Sequence, residues 1–247
     1  MISLSDVSFA YDGRKPALEQ VTLRLDAGRT LGLVGPNGSG KSTLLSLLAG
    51  LYAPSRGTIR VGDRVAPGEE KAIRSLAGLV MQDADLHILG ATVGEDVGLG
   101  FESSHPAVMN RVRETAERFG LAPLWDRPVQ ALSWGQKRRL CLAGVLAREP
   151  ELLLLDEPFS GLDYPGIKEM RAVLDENRRQ GLTQIVTAHD LEPLADLADE
   201  WAVMSEGRLV LAGRADEVFD RLEEYGVRAP CSWQAGLGVR AWNWKSE

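Results

Sequence analysis

Apolar and polar residues take turns through the first third of the chain. In "ISLSDVSFAY" the apolar positions fall at Ile2 and Leu4, then at Val7, Phe9 and Tyr11. These are two alternating sets with a shift between them that a β-bulge absorbs. "LEQVTLRL" alternates again through Val21, Leu23 and Leu25. "TLGLVG" is a short apolar run entering a glycine-rich turn, which predicts a buried strand. "KSTLLSLLAG" places Leu44, Leu45, Leu47 and Leu48 on a helix that stops at Gly50. "SRGTIRVGDR" predicts a further strand with turns on both sides.

An apolar strand is expected from Leu76 to Met81, ending at Gln82. From about residue 83 to 131 the pattern changes to a helical one. "HPAVMNRVRETAERFGL" predicts a helix with Val108, Val112 and Phe119 on or near one face, and "WGQKRRLCLAGVLARE" predicts another. The basic run Lys137, Arg138 and Arg139 is expected on a solvated helix face. "ELLLLDE" is continuously apolar, as a strand buried on both faces of a parallel sheet must be. "GIKEMRAVLDENRRQG" predicts an amphipathic helix, "TQIVTAH" a buried strand, and "WAVMSEGRLVLAG" a hairpin turning at Glu206-Gly207. Alternating strands and helices imply an α/β fold with a mostly parallel sheet.

Totals narrow the picture. The 247 residues suit one large domain, or a domain with an inserted lobe, and 44% hydrophobic with 26% charged residues is ordinary for a globular protein. A net charge of −7 disfavours broad nucleic-acid binding, and no nucleic-acid partner is expected. Cys141 and Cys231 fit no metal spacing, so a reduced, cytoplasmic chain is expected. The N-terminal stretch lacks the basic start and apolar run of a secretory signal. No stretch reaches the ~18 unbroken apolar residues of a membrane span.

Two motifs carry chemistry. "GPNGSGKST", Gly35 to Thr43, matches the phosphate-binding loop G-x-x-x-x-G-K-[ST] between a strand and a helix. Gly38 and Gly40 let the backbone aim N–H groups at phosphate oxygens, with Asn37 and Ser39 between and beside them. The helix N-terminus adds partial positive charge. Lys41 reaches the β- and γ-phosphates, and the Ser42 hydroxyl can ligate Mg²⁺. "LLLLDE" delivers Asp156 at a strand end, where it can hold Mg²⁺, followed by Glu157, which can polarise a water for attack on the γ-phosphate. These motifs alone specify a nucleoside-triphosphate hydrolase or kinase.

Their order along the chain is more specific: Tyr11, the phosphate loop, Gln82, "LSWGQ", "LLLLDEP", "SGLD" and His189. From about residue 2 to 215 the sequence resembles the ATP-binding cassette ATPases of ABC transporters, most specifically through "LSWGQKRRLCLAGVLAREPELLLLDEPFSGLD". The resemblance implies a phosphate-loop core, an N-terminal antiparallel β-subdomain and an inserted helical lobe at about 83–147 of a domain covering 1–220. A short Trp-containing tail, 221–247, would follow. It implies ATP and Mg²⁺ as ligands and a head-to-tail dimer that sandwiches each nucleotide. Tyr11 would stack on adenine. Gln82 would approach Mg²⁺ and the attacking water, and His189 would bond the γ-phosphate. Ser133, Gly135 and Gln136 of the signature, with Asp163, would act on the opposite subunit's site. The family usually has glycine where Trp134 stands, and the Trp134 side chain must then point away from the phosphate, toward the helical lobe or the dimer seam. His87 and His105 carry no such context.

"QDADLHILGATVGEDVGLG" and "QKRRLCLAGVLA" resemble the ATPases of energy-coupling-factor importers of cobalt, nickel, biotin and vitamins. Asp83-Ala84 and His87 depart from that subfamily's usual Asn-Pro and downstream glutamine. The resemblance implies a second ATPase subunit, an integral membrane coupling protein and a substrate-capture membrane protein as partners, with the chain peripheral on the cytoplasmic membrane face. Other ABC importer or exporter classes, or a non-transport ABC ATPase, remain alternatives. In the tail, Trp233, Trp242 and Trp244 follow no period; they suit packing on the core or a partner.

Overall fold

The shift between the two alternating sets at the N-terminus is a bulge. Asp6 adopts φ 54° there, the strand pairing slips between Leu4 and Val7, and the Asp6 N–H donates to Thr22 Oγ1 instead of to a ladder carbonyl. The structure is a computed structural model that describes residues 1–12, 15–101 and 106–242; His105 and Trp244 lie outside the described residues. Along the chain the elements are β1 (Ile2–Phe9), β2 (Leu18–Leu25), β3 (Thr30–Val34), α1 (Lys41–Leu48), β4 (Arg56–Val61), β5 (Arg64–Ala66), α2 (Glu70–Leu76) and β6 (Ala77–Val80). Then come α3 (Val93–Val97), α4 (Pro106–Arg118), α5 (Trp134–Leu146), β7 (Leu152–Leu155), α6 (Tyr164–Arg179) and β8 (Thr183–Thr187). The hairpin β9 (Glu200–Ser205) and β10 (Arg208–Gly213), then α7 (Ala215–Val218) and α8 (Cys231–Gln234), complete the order. The strand expected from Leu76 to Met81 is shorter, because Leu76 ends α2, a helix with one buried side chain, Ile73, and therefore no periodic signal.

The chain divides into two units, Met1–Leu79 with Glu151–Glu247, and Val80–Pro150. The first holds an antiparallel sheet in the order β2-β1-β4-β5 and a six-stranded sheet in the order β10-β9-β3-β8-β7-β6. In the larger sheet β3 runs parallel to both β8 and β9, and β7 runs parallel to β8. The hairpin turns at Glu206 (φ 49°) and Gly207 (φ 79°), the pair of positive φ values that matches the twist of antiparallel strands. Leu44, Leu45, Leu47 and Leu48 of α1 are all buried with Leu31 and Leu33 of β3 in one apolar cluster. Gly32 lets the centre of β3 meet Trp201: a Cβ there would lie 2.4 Å from the ring. Polar groups inside β8 are satisfied. Gln184 Nε2 donates to Thr30 Oγ1 and to the Leu174 carbonyl, and its Oε1 accepts from Asn177 Nδ2.

The C-terminal segment packs on this unit. The Trp233 ring meets Phe219 edge-on at 5.3 Å and its Nε1 donates to Asp220 at 2.7 Å. Trp242 stacks on Tyr164 at 4.9 Å, and the Arg171 guanidinium lies over it. Among the described residues no helix is long and apolar enough to cross a membrane.

In the second unit, Thr92 and Glu95 form a capping box that starts α3. The buried Asp96 accepts the N–H groups of Leu89 and Gly90, each at 2.8 Å, which fixes the loop after Gln82. Val112 and Ala116 bury the inner face of α4, with Phe119 just beyond it.

Candidate functional site

The phosphate-binding loop is shaped by what its backbone touches. Gly35 has φ 145°, and a Cβ there would sit 2.1 Å from the Met204 carbonyl oxygen. Gly40 has φ 104° and packs against Leu18 and the Ala17 carbonyl. No other residue type fits either place. Gly38, at φ 75°, and Asn37 lie exposed on the rim. Gly40 is also the N-cap of α1 and supplies no side-chain cap, and the first turn carries no acidic residue. The helix therefore starts with unsatisfied N–H groups and a positive dipole end, the arrangement that receives an anion. Ser39 Oγ is buried without a hydrogen-bond partner among the described residues.

Lys41 is buried, and its Nζ donates to the carbonyls of Gly35 at 2.8 Å and Pro36 at 3.0 Å. Burial lowers its pKa from the usual lysine range, while the charges of Glu157 and Asp156 act in the opposite direction. Ser42 is exposed next to it, and Thr43 Oγ1 is hydrogen-bonded to the Tyr11 hydroxyl at 3.0 Å. Tyr11 stands edge-on to Phe9 and Tyr52, with centroids 5.0 and 5.5 Å away, and stays 60% exposed. The aromatic cluster that holds Tyr11 upright includes Tyr52, which no motif announces.

Asp156 and Glu157 follow β7 directly. Glu157 adopts φ 50°, unusual for a side-chain-bearing residue, which turns the chain sharply at the strand end. His189 follows β8, and its Nε2 lies 2.6 Å from Glu157 Oε1. These two residues line a cleft of about 140 Å³ with Phe159, Ile167 and Thr187. Thr187 Oγ1 lies 2.7 Å from both Asp156 Oδ1 and the Glu157 nitrogen. Sequence reasoning missed Thr187; its only signal is its place at the end of β8, two residues before His189. Asp163 is the N-cap of α6 and accepts the Gly166 N–H at 3.0 Å, leaving the residue exposed.

The donor set suits Mg²⁺ beside a phosphate chain. That ion binds through one or two carboxylates, a hydroxyl and substrate oxygens, and not through an all-protein cage.

The first unit thus gathers Tyr11, the Gly35–Thr43 loop, Asp156, Glu157, Asp163 and His189. The second unit carries Gln82, Ser133, Gly135 and Gln136. Ser133 caps α5: its Oγ accepts from Gln136 N, and Gln136 Oε1 accepts from Ser133 N. Gly135 stands in the first turn, where a Cβ would meet nothing within 4 Å among the described residues. Trp134 projects over the guanidinium of Arg138, one helical turn on, at 5.0 Å. Arg138 is 2% exposed and donates from Nη1 to the Gln82 carbonyl at 2.7 Å, while Lys137 pairs with Asp85. Within the basic run Arg138 is therefore not on a solvated face, while Lys137 and Arg139 stay partly exposed. Helical spacing turns Arg138 inward, against the Trp134 ring and the Gln82 carbonyl.

Comparison with known proteins gives the family and the fold. The family model described as ABC transporter matches residues 18–160. The cobalt import ATP-binding protein CbiO of Rhodobacter capsulatus is 38% identical over 239 residues, covering 93% of this chain and 85% of that protein. An energy-coupling factor transporter ATP-binding protein of Methanospirillum hungatei is 36% identical over 229 residues; the match covers 90% of this chain and 58% of that longer relative. Among solved structures, cbiO1 of Clostridium perfringens, part of the transporter complex cbiONQ, superposes with a TM-score of 0.79 at 33% identity, covering 90% of this chain and 92% of that one. The dimeric cassette MJ0796 bound to ADP and phosphate gives a TM-score of 0.77 at 25% identity, covering 87% and 98%.

Proposed function

The chain belongs to the ABC transporter family, and from that premise we propose that it is the ATP-hydrolysing subunit of an energy-coupling-factor importer for a metal ion or vitamin. One observation carries the reading. The Lys41 loop, the pair Asp156–Glu157 and His189 leave the carboxyl ends of three neighbouring parallel strands, β3, β7 and β8. That edge of an open α/β sheet is where ligands bind.

Each residue then has a task. Tyr11 stacks on the adenine. Lys41, Ser39 and the N–H groups at the start of α1 bind the β- and γ-phosphates. Ser42 and Asp156 would hold Mg²⁺, which would supply charge neutralisation to the phosphates. Glu157 accepts a proton from the water that attacks the γ-phosphorus, and ADP departs as phosphate forms. His189 holds the Glu157 carboxylate and meets the γ-phosphate. Ser133, the Gly135 backbone, Gln136 and Asp163 serve the nucleotide of a second cassette placed head to tail. The open space around Gly135 supports this, because no contact among the described residues requires glycine there. The names of the relatives, a cobalt import and an energy-coupling factor transporter ATP-binding protein, support the importer class; its proposed partners are a membrane coupling protein and a substrate-capture membrane protein, with this chain on the cytoplasmic membrane face.

Glu157→Gln tests the reading. ATP binding should persist, hydrolysis should slow by about 10²-fold or more, and the closed dimer should accumulate in size-exclusion chromatography with Mg-ATP. Hydrolysis at the parental rate would remove Glu157 from the reaction. Co-purification with an integral membrane protein separates a transport subunit from a non-transport ABC ATPase.

A further inference from the structure

Thr187 ends β8 with a side chain that is 0% exposed and lies against both residues of the carboxylate pair. Its Oγ1 accepts the Glu157 N–H at 2.7 Å, so its own hydrogen is directed to Asp156 Oδ1, also at 2.7 Å. The second bond is charge-assisted and occupies one carboxylate oxygen, which orients the other. The first holds the backbone of Glu157 at φ 50°, a conformation a glutamate does not choose unaided. The Glu157 side chain is held in turn by His189, two residues beyond Thr187. The ends of β7 and β8 are therefore cross-linked twice, and the buried link is a single hydroxyl.

We infer that Thr187 is a positioning residue for the ATPase reaction, aiming the Asp156 carboxylate at Mg²⁺ and fixing the turn that presents Glu157 to the attacking water. The inference rests on the roles proposed above for Asp156 and Glu157. A partner that only orients a metal-holding carboxylate still changes metal affinity, typically by about 10–100-fold.

The test uses the full chain as Thr187→Val, which keeps shape and β-branching but removes the hydroxyl, and Thr187→Ser, which keeps it. The first readout is the Mg²⁺ concentration that gives half-maximal tight binding of a fluorescent ATP analogue. Thr187→Val should raise it by about 10–100-fold, with nucleotide affinity in EDTA unchanged. In turnover its kcat should fall while KM for ATP in saturating Mg²⁺ holds. Thr187→Ser should restore both. A folded Thr187→Val with the parental Mg²⁺ dependence overturns the inference, and so does Thr187→Ser being as impaired as Thr187→Val. Should Thr187→Val not fold, Thr187→Cys, a weak hydrogen-bonder, takes its place under the same criteria. Asp156→Asn is measured alongside. If it leaves the Mg²⁺ dependence unaltered, the metal role of Asp156 falls and Thr187 with it. If it shifts the dependence and Thr187→Val does not, only Thr187 is misassigned.

Discussion

At the scale of single residues, Trp134 and Gly135 divide two tasks that a sequence motif runs together. Trp134 opens α5 and covers Arg138; Gly135, one residue on, faces open space. The ring covers Arg138 of its own helix and stays 43% exposed. Trp134→Gly should therefore keep most ATPase activity and lower stability by about 1 kcal/mol, the scale of a partly exposed cation–π contact, as read by urea unfolding. Gly135→Trp should fold, since a Cβ there meets nothing within 4 Å among the described residues, and should lose ATPase activity and ATP-dependent dimerisation. Equal loss of activity in both variants would give the ring a direct part in the site. With Lys41 binding the β- and γ-phosphates as proposed, calorimetry on Lys41→Ala should show tight Mg-ATP binding abolished.

At the scale of elements, α5 holds the loop after β6 by three side chains in succession. Lys137 pairs with Asp85, Arg138 donates to the Gln82 carbonyl, and the Cys141 thiol lies 3.7 Å from the Ala84 carbonyl oxygen. Burial pushes the Cys141 thiol up to about 12, so it stays protonated and unreactive at neutral pH, whereas Cys231 is exposed. Iodoacetamide at pH 8 should label Cys231 in the native protein and reach Cys141 only after denaturation. Arg138→Ala should speed labelling of Cys141, because the loop above it loses its charged anchor. Peptide mass spectrometry separates the two sites. Native labelling of Cys141 as fast as Cys231 would contradict the packing of α5 on this loop.

For the whole molecule, the C-terminal segment extends the first unit's packing. Trp233 adds an edge-on aromatic contact with Phe219 and a hydrogen bond to Asp220. Such a contact and such a bond contribute about 1 kcal/mol each. Trp233→Ala should then lower the melting temperature by roughly 4–8 °C in a chain of this size, measured by calorimetry. An unchanged melting temperature would mean that the segment is only draped on the surface.

Local rules of pattern and spacing were enough for much of this protein. Alternation at Ile2–Phe9 implied a bulge, four leucines before Asp156 implied a buried parallel strand, and Glu206-Gly207 implied a hairpin turn. Each depends on neighbours within a few residues, which is the range over which periodicity and turn chemistry act. The glycine-rich loop and the acidic pair were legible for the same reason. The short helix α2 was not, because one buried residue makes no period. Nor were the inward turn of Arg138, the Tyr11–Tyr52 contact, and Thr187 bonded to both Asp156 and Glu157. In each, the partners lie far apart along the chain. A charge or hydroxyl becomes buried and paired only when the folded chain brings another element beside it, and tertiary structure alone decides that.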